Sequence, residues 1–144
     1  MNHRAQKVLL AAAALVCLVV PQASAASLWG SVNLNTDSVG VTAGFGILPL
    51  PLVGTFGVEG SAERLGTSGQ TAYSVGATLR DINLPLTGTD AFLGAGVTYV
   101  TAFSPYLEGG LRAPLIGPAG LKIAVRSYPQ QGRVRAGLGA EVRF

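Results

Sequence analysis

The chain has 144 residues, 49% of them hydrophobic and only 12% charged, with a formal net charge of +3. That is room for one domain. Its lone histidine, His3, and lone cysteine, Cys17, both fall in the first 25 residues. Beyond them Ser–His and Cys–His nucleophilic sites are excluded, typical zinc sites nearly so, and no disulfide can form.

The chain opens on Arg4 and Lys7, continues through the apolar run Val8 to Val20, and reaches Ala23-Ser24-Ala25. A basic start, a short apolar core and an Ala-x-Ala end are the parts of a secretory signal peptide, and they predict cleavage after Ala25 and passage through the secretion translocon. The run is too short to span a bilayer comfortably as a helix. Cys17 follows Val16 inside that run, which argues against a lipoprotein signal. Residues 1–25 are thus read as a leader and 26–144 as the domain. The domain keeps eight basic residues and seven acidic ones. This near balance excludes a nucleic-acid partner driven by bulk charge. No second long apolar run follows, so a membrane-embedded domain could only be a closed β-barrel.

From residue 28 onward the pattern has a period of two, the signature of strands with unlike faces. Leu28 to Leu34 is the faintest segment. Val39, Val41, Ala43, Phe45 and Ile47 then oppose Gly40, Thr42, Gly44 and Gly46. Phe56, Val58, Gly60 and Ala62 oppose Gly57, Glu59, Ser61 and Glu63. Tyr73, Val75, Ala77 and Leu79 oppose Ser74, Gly76, Thr78 and Arg80. Ala91, Leu93, Ala95, Val97 and Tyr99 oppose Phe92, Gly94, Gly96 and Thr98. Leu107, Leu111 and Ala113 oppose Glu108, Gly110 and Arg112. Leu121, Ile123 and Val125 oppose Lys122, Ala124 and Arg126. Val134, Ala136, Leu138, Ala140, Val142 and Phe144 oppose Arg133, Arg135, Gly137, Gly139, Glu141 and Arg143.

These are eight strands with short connections, which predicts an all-β, eight-stranded antiparallel up-and-down (meander) barrel. Alternate connections of a meander share an end. Those at 35–38, 66–70, 101–104 and 129–132 are mostly polar. The other three hold Pro49-Leu50 with Pro51-Leu52, Pro85-Leu86, and Pro114-Leu115.

A soluble surface of Gly, Ser and Thr with so few charges would be unusual, whereas a narrow lumen accommodates it. The polar face is therefore expected inside, with Glu59, Glu63, Arg80, Glu108, Arg112, Lys122, Arg126, Arg135, Glu141 and Arg143 forming a lumen ion-pair network among glycines. Tyr73, Tyr99 and Tyr128 are expected as interfacial aromatics at the polar-loop end, and Trp29, Phe45 and Phe56 at the other. Phe92 and Tyr106 have inward parity. Glu59 and Glu63 are the one close pair of acids and are read as arginine partners rather than an acid–base couple.

The ending Leu138-Gly-Ala140-Glu-Val142-Arg-Phe144 resembles the terminal strand of bacterial outer-membrane barrel proteins, and the pattern from Leu28 to Phe144 is similar to their small eight-stranded members. The resemblance implies a transmembrane barrel in outer-membrane lipid. It also implies that the barrel-assembly machinery recognises Leu138, Ala140, Val142 and above all Phe144. It departs from that family in lacking long loops, which speaks against a loop-built receptor or adhesin. The expected function is a non-enzymatic, structural or accessory outer-membrane barrel without a cofactor. A lipocalin-like soluble periplasmic barrel with an apolar ligand, and a narrow anion-preferring pore, stand as alternatives.

Overall fold

The computed structural model describes residues 27–84 and 88–144. The proposed leader 1–25 and the Pro85-Leu86 step lie outside the described residues. Eight strands follow in order: β1 (Leu28–Asn35), β2 (Ser38–Leu50), β3 (Gly54–Leu65), β4 (Thr71–Leu84), β5 (Thr89–Tyr99), β6 (Phe103–Ile116), β7 (Ala119–Tyr128) and β8 (Arg133–Arg143). Each pairs antiparallel with the next, and β8 returns to β1, closing the barrel. Closure runs from Trp29 opposite Arg143 to Asn35 opposite Gly137, and the Phe144 amide donates to the Leu28 carbonyl at 2.8 Å. Closure leaves no unpaired sheet edge.

The barrel is inside out relative to a soluble one. Leu34, Val75, Leu93, Leu107, Leu121, Ile123, Val125 and Leu138 are exposed on the outer wall. Glu59, Glu63, Arg80, Glu108, Arg112, Lys122, Arg126, Arg135 and Glu141 are buried within. An apolar ligand has no apolar lumen to enter, which removes the lipocalin-like alternative. The continuous apolar outer face exceeds what soluble monomers present to water.

Two expectations about connections change. Pro49-Leu50 and Pro114-Leu115 belong to the ends of β2 and β6 rather than to turns. Register irregularities between Gly46 and Leu48 and between Pro114 and Ile116 sit beside them. A proline is tolerated where a bulge has already interrupted the ladder. Phe103 and Ser104 likewise open β6 rather than forming a loop. A third irregularity, between Leu79 and Ile82, gives Asp81 a φ of 59°. Gly54 accommodates the chain there: its φ is 131°, and a Cβ at that position would lie 2.0 Å from the Arg80 carbonyl oxygen. All three irregularities lie at the end of the barrel that carries the chain terminus Phe144.

Candidate functional site

Strand parity aims the charges inward, and glycines make room for the rings between them. Trp29 rests on Gly44 and Gly57, where an added Cβ would approach its ring to 2.6 and 2.8 Å. Phe92 lies over Gly110, and Tyr106 over Gly76 and Gly96. A small barrel has space for side chains only, so each bulky one needs a bare stretch of opposing wall.

The lumen charges form two assemblies. Towards the polar loops they form a chain of alternating sign. Arg133 pairs with Asp37, and Asp37 Oδ1 lies 3.0 Å from Arg135 Nε. Arg135 Nη1 reaches Glu63 Oε2 at 3.1 Å, and Glu63 Oε1 accepts from Arg126 Nη1 at 3.0 Å. Arg126 Nε donates to Glu108 Oε2 at 2.6 Å, and Glu108 Oε1 accepts from Lys122 Nζ at 3.2 Å. Ser38 Oγ donates to Glu63 at 3.2 Å. The guanidinium groups of Arg126 and Arg135 lie over Tyr106 and Tyr128, at 4.3 and 5.2 Å from the ring centroids.

Towards Phe144 the arrangement is a hub. Glu141 pairs with Arg80, Arg112 and Arg143; the latter two distances are 3.0 and 2.9 Å. Arg80 also lies 3.5 Å from Glu59, an ion pair without hydrogen-bond geometry. Arg143 pairs with Asp81 and lies 3.7 Å from Asp90, which is 4.0 Å from Arg112. Phe92 stands between the assemblies, with Lys122 Nζ 4.5 Å and the Arg80 guanidinium 5.1 Å from its centroid. Cation–π attraction on a shared ring is the contact that joins them.

The ten acidic and basic residues expected in the lumen are brought together, with Arg143 part-exposed at the rim. Glu59 and Glu63 go to different assemblies, Glu59 to the hub and Glu63 to the chain. Four further members were not expected there: Asp37, Asp81, Asp90 and Arg133. Asp37 lies in a turn and Asp81 at a bulge, where alternation loses its meaning, while Asp90 and Arg133 stand at strand starts with the inward parity of Phe92 and Arg135. Among the described residues, all seven acids and seven of the basic side chains enter ion pairs; Arg64 is the basic one outside them.

Two expected interfacial aromatics are corrected. Trp29 is 2% exposed and Tyr128 3%, both inside the lumen, where Trp29 stacks with Arg80 at 4.6 Å. Parity carried the signal: Leu28, Gly30, Val32 and Leu34 face out, so Trp29 faces in, and Tyr128 shares the face of Lys122 and Arg126. Phe45, Phe56, Tyr73 and Tyr99 are exposed on the outer wall. Phe103, which was not expected in the set, packs against Tyr99 there at a centroid distance of 5.0 Å. Leu138, Ala140 and Phe144 are exposed, and Val142 half-buried, on the outward face of the last strand.

A lumen cavity lined by Asn33, Thr42, Glu63, Glu108, Lys122, Arg126 and Arg135 has a volume of about 20 Å³. That is room for a water molecule or two.

The sequence matches no family model and no curated protein. Solved structures share the architecture. A de novo designed transmembrane β-barrel aligns with a TM-score of 0.59 at 16% identity, over 88% of this chain and 100% of that one. The N-terminal β-barrel domain of OprF from Pseudomonas aeruginosa gives 0.60 at 14%, over 83% of this chain and 96% of that one. The designed barrel TMB2.3 gives 0.56 at 17%, over 83% and 93%. The likeness is one of fold: a closed eight-stranded meander of the kind found in transmembrane barrels.

Proposed function

We propose that this chain is a non-enzymatic barrel of a bacterial outer membrane, structural or accessory in role, with a lumen that is a polar plug. One observation carries the reading: apolar side chains clothe the outer wall while the acids and all but one of the described basic side chains are paired within or at the rims. Water would penalise that wall and lipid would not. Residues 1–25 would direct export, outer-membrane lipid would surround the wall, and the barrel-assembly machinery would read Leu138, Ala140, Val142 and Phe144. The end bearing Phe144 would face the periplasm.

The plug follows from neutralisation and volume. The arginines are held by carboxylates rather than offered to passing anions, and the cavity among them admits little more than one water. In an envelope preparation the protein is expected in the membrane fraction, resisting carbonate wash and released by detergent. Recovery of native β-structure in the soluble fraction would overturn the membrane reading. In planar bilayers the protein should show no steady conductance. Stable anion-selective channels, with selectivity altered by Arg126→Ala, would instead establish the pore.

A further inference from the structure

The two ends of the outer wall differ in chemistry. From Phe45 to Gly54, and again from Ala113 to Leu121, there is no polar side chain. These segments form the β2–β3 and β6–β7 turns with their strand ends. Leu48, Leu52, Val53, Leu115 and Ile116 are exposed, Leu52 completely. The opposite end carries Thr36-Asp37, Thr67-Ser68 and Gln130-Gln131 in its turns. Short polar turns are what water requires, and the turns after β2 and β6 lack them.

The length of the wall points the same way. Phe103 and Tyr99 form the outward aromatic cluster at the polar-loop end, the place of an interfacial girdle. Leu115 lies 12 residues further along β6. At about 3.4 Å per residue and a tilt of about 40°, that distance is about 31 Å along the membrane normal, against an apolar band of about 25 Å. With the girdle at one interface, Leu115 and Ile116 extend about 6 Å past the other.

We propose that the β2–β3 and β6–β7 turns are themselves inserted into the headgroup–acyl boundary of the leaflet on the Phe144 side, so that lipid covers Leu52, Leu115 and Ile116. The occupant is the same bilayer that surrounds the wall, because the apolar surface runs from wall to turn tip without a charge to interrupt it. An overhang of about 6 Å stays within the interfacial layer, which adds about 5–8 Å on each side of the hydrocarbon core. The barrel is thereby held by its turns as well as by its aromatics, and it sits displaced towards one leaflet. This inference rests on the membrane reading above.

Spin labels test it. With Cys17→Ser the chain has no cysteine, so single labels at Leu52→Cys, Ile116→Cys, Ser68→Cys, Gln130→Cys and Val75→Cys report one site each. The full-length protein is folded into phosphatidylethanolamine–phosphatidylglycerol vesicles, and collisions with oxygen and with a water-soluble nickel chelate are compared. The oxygen-to-nickel ratio at Leu52 and Ile116 is expected to be several-fold above that at Ser68 and Gln130, approaching that at Val75 on the outer wall. Nickel access at Leu52 and Ile116 with oxygen access at Val75 overturns the insertion and leaves the barrel reading standing. Nickel access at Val75 as well overturns both. Spin–spin broadening at Leu52 that grows with protein-to-lipid ratio overturns lipid as the occupant in favour of a second copy.

Discussion

The two halves of the lumen solve one problem by different wiring. Near the polar loops, Asp37, Glu63 and Glu108 each hold two cations, Arg126 and Arg135 each hold two acids, and Arg133 and Lys122 end the chain with one apiece. Near Phe144, Glu141 alone holds Arg80, Arg112 and Arg143. The chain has four cations to three carboxylates; the hub, with Glu59, Asp81 and Asp90, has three to four. Each half therefore carries a charge opposite to the other, and the whole is neutral. The difference teaches that pairing in a confined lumen has to be judged by connectivity as well as by count. Loss of the mid-chain Glu63 leaves Arg126 and Arg135 a close carboxylate each, whereas loss of Glu141 takes a partner from three cations at once and leaves Arg80 and Arg112 only carboxylate contacts of 3.5 and 4.0 Å.

The largest expected effect is at the hub. Glu141→Gln keeps the volume and removes the charge, leaving Arg80 buried with only the non-hydrogen-bonded Glu59. Removing one partner of a buried pair costs about 3–5 kcal/mol, and urea unfolding of the vesicle-folded barrel should register a loss of that order. Glu63→Gln sharpens the contrast. Arg126 keeps Glu108 and Arg135 keeps Asp37, so the expected loss is about 1.5–3 kcal/mol, the worth of hydrogen bonds to a charged group. A loss equal to that of Glu141→Gln would show that the two halves are wired alike. Asp90→Asn is the smallest. Its contacts of 3.7 and 4.0 Å lie at a part-exposed rim, and the change in unfolding midpoint should correspond to less than about 1 kcal/mol.

Ion pairs between neighbouring strands were within reach of the sequence. Once the meander is accepted, Glu108 on β6 and Arg126 on β7 fall opposite one another by register. The pairs that cross the lumen were not. Glu63 meets Arg135 from β3 to β8, and Arg80 meets Glu141 from β4 to β8. Which rung of one wall faces which rung of the other depends on strand tilt and shear, neither of which is written in alternation. The same holds for Asp81, which a bulge turns towards Arg143. Trp29 and Tyr128 show the reverse case. Their parity was legible and pointed inward, and a general preference of aromatics for interfaces was the weaker guide.

By itself the sequence determined the eight strands, their meander order and the face of each residue within an unbroken strand run. Those properties follow from a local two-residue period and from short connections that leave consecutive strands little choice but to pair. The tertiary structure alone decided how the charges divide into a chain and a hub, how Phe92 joins them, and how little space remains between them. Those depend on distances across a closed cylinder, and a cylinder acquires its width, tilt and stagger only when β8 meets β1.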